Sequence, residues 1–173
     1  MIKVGGRPIL WYIMNHLKHH GMTEICVNLH YKPQQIIDYL GDSVMYSYEP
    51  ELLGTAGALW KMSRWLGTEF VVVNGDTISD VDLTWMVDSH RKWRKVATVF
   101  TADTVSHNGG TFVFNDRIFN FISLEDFPLS LHKQVLPMLK QDDLVAEWWD
   151  GESVYFDCGT HEKLEKARKF FEG

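Results

Sequence analysis

Two aspartates stand where apolar runs end. In "FVVVNGDTISDVDL" (70–83) four apolar residues lead through Asn74 and Gly75 to Asp76, and in "SVYFDCGTHEKLEKA" a second run leads to Asp157, followed by a glycine and a helix-like segment from Thr160. Open parallel sheets gather ligands at the carboxyl ends of their strands, where loops and helix N-termini present unpaired N–H groups. Two acidic oxygens from separate strand tips suit a hard divalent cation, since Mg²⁺ takes one or two carboxylates and completes its shell with water and substrate phosphates. Each acid also has an ordinary use. Asp76 can cap the turn before the next helix, and Asp157 can sit at a helix N-terminus, where the dipole favours it. A third element is "LLGTAGALW" (52–60). The small residues Gly54, Thr55, Ala56 and Gly57 leave room for a flat group to lie against backbone, and serve equally for close packing.

These residues need strands and helices to hold them. Pro8 suits a first helical turn, Ile9, Leu10, Ile13 and Leu17 share one face, and Gly21 supplies a stop. Strands are predicted over 24–31 and 43–49, with a short helix over 33–41 between them. A helix over about 56–65 precedes the strand ending at Asp76, and another is expected over 80–94. Further strands are expected at 96–103, 110–116, "LVAEWWDG" and "SVYFDCG". A largely helical stretch, "DFPLSLHKQVLPMLKQ", is interrupted by Pro128 and Pro137, and Thr160 caps a last helix over 160–171. Strands alternating with helices at this spacing predict a single α/β domain over 1–173, with a mostly parallel sheet.

The totals narrow the function classes. A formal charge of −6 without a strongly basic face argues against a nucleic-acid partner. The run "HRKWRK" (90–95) reads as a solvated helix end. Cys26 and Cys158 lie far apart with no metal-type spacing, so a reducing compartment is expected and both read as small core residues. No secretory signal and no membrane-length apolar run shows, which points to the cytoplasm and no membrane partner. His16 and His20 have a zinc-compatible spacing but no third ligand. Of Trp148 and Trp149 only one can face a given side of a strand. Asp80 and Asp82 read as helix N-terminal acids, and Arg7 as a surface residue or one that steers a phosphate.

Taken in order, "NGD" after a strand, "LGTAGAL" before a helix and "DCGT" near the end resemble the sugar-phosphate nucleotidyltransferases over nearly the whole length. "KVGGRPILWYIM" is similar to that family's helix entry, "GMTEICVNLHYKPQQIIDYLGD" to its second strand and following helix, and "NGGTFVF" (108–114) to the segment that touches the sugar. The resemblance implies a three-layer, Rossmann-like or glycosyltransferase-A-like α/β fold. It also implies attack of a sugar 1-phosphate on the α-phosphorus of a nucleoside triphosphate, with release of pyrophosphate. Asp76 and Asp157 would hold Mg²⁺. Gly54, Thr55, Ala56, Asn74 and Gly75 would face the nucleotide, Asn108 and Gly109 the sugar, and no protein nucleophile is required. The family's G-G-x-G-T-R loop and first strand have no counterpart here, and "TVSH" stands where an E-K-P segment would fall. The sequence therefore reads as a domain truncated at its N-terminus, an enzyme where that loop is supplied. A homo-oligomer could also cover the exposed strand edges. The alternatives are an inactive nucleotide-sugar binding module and a metal-dependent glycosyltransferase.

Overall fold

The structure, a computed structural model, describes residues 1–102, 108–123, 125 and 127–172. A small hairpin of β1 (Lys3–Val4) and β2 (Arg7–Pro8) feeds α1 (Ile9–His19), whose Ile9, Ile13, Met14 and Leu17 form the buried face. Gly21, at φ +75°, follows its end in the left-handed region that glycine adopts without steric cost. Then come β3 (Cys26–Leu29), α2 (Pro33–Leu40), β4 (Met45–Tyr48), α3 (Gly54–Met62) and β5 (Glu69–Val73). The second half runs β6 (Thr77–Ser79), α4 (Leu83–Trp93), β7 (Ala97–Thr101), β8 (Asn108–Asn115), α5 (Leu136–Gln141), β9 (Val145–Trp148), β10 (Tyr155–Asp157) and α6 (His161–Glu172).

The central sheet has the order β5-β8-β7-β9. Strand β8 runs antiparallel to both β5 and β7, and β9 parallel to β7. Three of the four strands thus share one direction and β8 alone opposes them. Successive side chains on a strand point to opposite faces, and here both faces are apolar. Val71 and Val73 of β5, with Val113 and Phe100, join a core with α1, α4 and α6, while Phe70, Val72, Phe112 and Phe114 join a second core with α3 and α5. Helices on both faces of the sheet make the three-layer α/β sandwich.

The remaining parallel pair, β3-β4, stands apart from this sheet. Among the described residues β3 pairs only with β4, and β5 only with β8. Between them lies a cleft of about 860 Å³, lined by Cys26 and Val27 on one side, Val71 and Val73 on the other, and Ile13 and Leu59 from the flanking helices. Among the described residues, two strands therefore turn unpaired backbone edges toward a largely apolar slot.

Two local expectations change. The helix expected from 80 starts at Leu83, because 77–79 form a strand against β10. Asp82 still works as a cap, accepting from Trp85 N–H at 2.8 Å, whereas Asp80 turns to the neighbouring loop and accepts from Val154 N–H at 2.7 Å. In the Pro-containing stretch, 131–135 form a π-helical turn that runs directly into α5, and Pro137 falls in the first turn of α5. The expected strand end at Asp103, the "TVSH" segment and Asp126 lie outside the described residues. Trp148 is buried and Trp149 exposed, as strand alternation requires.

His90 on α4 is 2% exposed, with Nδ1 2.8 Å from Thr98 Oγ1. Burial is the main force holding it below its ordinary value of 6.5, helped by Arg117 and Arg91 and opposed by Glu69. An unfolded histidine takes up its proton first as pH falls, so the fold is fully supported above about 6.5 and loses stability below it, toward the depressed folded value. The urea midpoint should drop between pH 7.5 and 5.5, and His90→Asn should lessen that drop. An equal drop in the variant would contradict the assignment.

Candidate active site

Strand β10 pairs antiparallel with β6 in the register Tyr155↔Ser79, Phe156↔Ile78 and Asp157↔Thr77. One further bond extends the pairing past the strand end: Cys158 N–H donates to the Asp76 carbonyl at 2.8 Å. Asp76 and Asp157, 81 positions apart in sequence, are thereby brought side by side by the backbone hydrogen bonds of their neighbours. Gly159 measures the result. A Cβ added there would lie 3.0 Å from Asp157 Oδ1 and 3.1 Å from Asp76 Oδ2, so both carboxylates border one small space that any larger residue would invade.

The two acids differ in surroundings. Asp157 Oδ1 accepts from Gly159 N–H at 2.7 Å, and Oδ2 accepts from Lys163 Nζ at 2.6 Å. Partial burial pushes the Asp157 carboxyl up, but the bonds from Lys163 and Gly159 and the lysine's charge outweigh it and hold the group below its ordinary value. Among the described residues no hydrogen bond or ion pair reaches the Asp76 carboxylate. The Tyr155 phenol is pushed up to about 12 by burial first, then by the charges of Asp157 and Asp76. Cys158 is buried and its thiol is raised by the same causes, so it stays protonated and inert.

The other predicted residues join the acids through a chain of contacts. Asn74 N–H donates to the Gly110 carbonyl at 2.8 Å, and Thr77 N–H to the Asn74 carbonyl at 3.2 Å, which shapes the Asn74–Gly75–Asp76 turn. Gly110 has φ +70°, and a Cβ on it would meet Thr77 Oγ1 at 2.5 Å, so only glycine lets the start of β8 approach this turn. Asn108 Oδ1 accepts from Gly110 N–H at 2.7 Å, Tyr155 hydroxyl donates to the Asn108 carbonyl at 3.4 Å, and Asn108 Nδ2 lies 3.1 Å from His132 Nδ1. At Gly109 a Cβ would overlap the Phe100 ring.

From His132 the chain leads to α3. Leu131 N–H donates to Thr55 Oγ1 at 2.8 Å, and Ala56 N–H to the Leu129 carbonyl at 2.9 Å. The room that the small residues of "LGTAGAL" leave is largely filled from within. A Cβ at Gly54 would overlap the Leu129 backbone, one at Gly57 would meet Leu53 and the Phe127 ring, and Ala56 is buried. Thr55 stays exposed, and with Gly54, Asn28, Glu49, Asn74 and Gly75 it lines the cleft between β3 and β5.

Four residues escaped the sequence reading. Lys163 carried a signal, a cation in the first turn of a helix, where the dipole disfavours it. Tyr155 could have been placed by alternation from Asp157, two residues on. Gly110 and His132 offered none, since their roles arise only when β8 and the 131–135 turn meet. Elsewhere, His20 Nδ1 lies 2.9 Å from Thr84 Oγ1, and burial chiefly lowers both His16 and His20. No group of three or more His, Cys, Asp and Glu is gathered for a metal among the described residues. Two carboxylates around a space a methyl would fill are a donor set that fits a hard divalent cation taking few protein ligands. No helix among the described residues is long and apolar enough to cross a membrane.

Comparison with known proteins adds to this geometry. A D-glycero-alpha-D-manno-heptose 1-phosphate guanylyltransferase of Aneurinibacillus thermoaerophilus is 27% identical over an alignment that covers 98% of this chain and 87% of the relative. A solved structure of a Bacillus anthracis protein described as a glucose-1-phosphate thymidylyltransferase, in complex with a sucrose, superposes with a TM-score of 0.85 at 17% identity, over 98% of this chain and 85% of that one. HddC from Yersinia pseudotuberculosis, complexed with GMP-PN, superposes with a TM-score of 0.77 at 23% identity, over 99% and 88%. At such identities the two structures establish the fold. The family model described as nucleotidyl transferase matches residues 1–109, well over half of the sequence, and the chain belongs to that family.

Proposed function

We propose that this chain carries the catalytic core of a sugar-phosphate nucleotidyltransferase, in which a phosphate oxygen of a sugar 1-phosphate attacks the α-phosphorus of a nucleoside triphosphate. The new P–O bond forms as the bond to the β-phosphate oxygen breaks, giving a nucleotide sugar and pyrophosphate. The observation that carries the proposal is the meeting of Asp76 and Asp157 at one space beside Gly159. Both substrates are anions, so the reaction needs charge neutralisation and in-line positioning more than a protein nucleophile. Asp76 and Asp157 would hold Mg²⁺, which when bound would neutralise phosphate charge and orient the reacting groups.

The chain's own residues supply the rest. Thr55 and Gly54, with Asn74 and Gly75, border the polar end of the cleft and would receive the nucleotide, whereas buried Ala56, its N–H held by the Leu129 carbonyl, would act only by positioning them. Asn108 and Gly109, tied to the Asn74 turn through Gly110, would face the sugar. The named relative transfers a guanylyl group, which makes GTP the first triphosphate to test. The divided sheet supports reading residues 1–173 as one such domain short of a strand between β3 and β5. It also favours a second reading, a binding module that holds nucleotide sugars without turning them over, because that slot borders the proposed nucleotide pocket.

Pyrophosphate release from a panel of nucleoside triphosphates and sugar 1-phosphates with Mg²⁺ separates the two readings: turnover supports the enzyme, binding without turnover the module. Asp76→Asn keeps the side chain's shape and removes its charge, so kcat should fall by on the order of 10²-fold with folding intact. Unchanged turnover would refute the role given to Asp76. The φ of Gly159 lies outside the left-handed region, so Gly159→Ala strains no backbone, and its methyl should crowd both carboxylates. Mn²⁺ affinity should drop about tenfold with the melting temperature nearly unchanged. Full affinity in this variant would place the cation elsewhere.

A further inference from the structure

The lysine beside Asp157 sits where a helix offers it no support. The N-terminal end of α6 carries the positive end of the helix dipole, which favours acids there and disfavours cations. Glu162 obeys this preference and pairs with Lys166 at 2.9 Å, one turn on. Lys163, in the same first turn, does not. Its ammonium turns back along the chain to Asp157 Oδ2 at 2.6 Å, with side chains 51% and 30% exposed. Among the described residues it is the cation paired with Asp157, the acid that borders the same space as Asp76.

We propose that Lys163 is a built-in counter-cation of this site, one that a divalent cation must displace from Asp157 on binding. This rests on the proposed metal site. Without metal, the ammonium offsets the repulsion between two carboxylates that border the same space, which lets the β6–β10 pairing hold them together. Asp76 and Asp157 would hold a divalent cation whose charge would offset the same repulsion and weaken the hold of the Lys163 ammonium on Asp157. Only one of the two cations can hold Asp157 at full strength. The exchange is easy, because an exposed ion pair is worth little against water and is further weakened by salt. Lys163 is thus a positioning residue, whose effect reaches the reaction through Asp157.

Mn²⁺ binding to the whole protein, followed by the electron-spin-resonance signal of free Mn²⁺, tests this without any turnover. Lys163→Met should bind Mn²⁺ about two- to fivefold tighter than wild type, the factor that corresponds to the strength of exposed pairs. Lys166→Met removes the same charge one turn further along α6 and should leave the affinity close to wild type. Equal tightening in both variants would reduce the effect to the general field of the helix and overturn the proposal. Wild-type affinity in Lys163→Met would overturn it while leaving the metal site standing, whereas no Mn²⁺ binding by either protein would overturn the metal site as well. A second measurement avoids substitution in the observed state. With ¹⁵N-labelled lysine, the Lys163 ammonium signal, assigned by its loss in Lys163→Arg, should be visible without metal and should shift or broaden into solvent exchange on Mg²⁺ addition. A signal unmoved at saturating Mg²⁺ would contradict displacement.

Discussion

The short antiparallel pairing of β6 with β10 is the constraint on which the rest of this site depends. It joins segments from the middle and the end of the chain and, through the bond from Cys158 N–H to the Asp76 carbonyl, extends to the two acids themselves. Carboxylates brought this close repel, so their juxtaposition has to be maintained by other forces. Backbone hydrogen bonds supply the register, Gly159 and Lys163 supply donors to Asp157, and the strands on both sides are anchored in the apolar cores. Ile78 from β6 and Phe156 from β10 enter the same core as α1, α4 and α6, so slipping the pairing by one residue would turn these apolar side chains the wrong way.

Around this pair the molecule assembles its loops by close approach. Glycine at 110 lets β8 reach the Asn74 turn, and glycine at 54 lets α3 lie on the Leu129 backbone. The result is a run of contacts from Thr55 through Leu131, His132 and Asn108 to Asp76. The side of the molecule at β3 and β5 is built differently. Among the described residues two strand edges there face an apolar cleft without pairing across it, and the polar residues that would receive a nucleotide lie at its mouth.

Much of this was legible in the sequence, for physical reasons that differ from part to part. The unbroken apolar run "FVVV" and the apolar residues of "GTFVF" marked buried strands, and the apolar stripe of α1 with Gly21 marked a helix and its end. Asp76 and Asp157 were identified as strand-tip acids because an apolar run that ends in Asp and Gly is a local pattern. The β6 strand was not legible: "TIS" is too short to show a period, and the acids that follow it resemble a helix start. Its existence depends on β10, a partner far along the chain. The filling of Gly54 and Gly57 by the 127–131 segment was hidden for the same cause, since a small residue announces that something comes close and does not say what. His132 likewise acquires meaning only from what packs beside it.

The central claim is that Asp76 and Asp157 share one divalent cation. A crystal grown with Mn²⁺ and a nucleoside triphosphate, measured at a wavelength where manganese scatters anomalously, tests it most directly. An anomalous peak is expected within coordination distance, about 2–2.5 Å, of an oxygen from each aspartate. A cation bound to the triphosphate alone, with the two carboxylates apart, would contradict it.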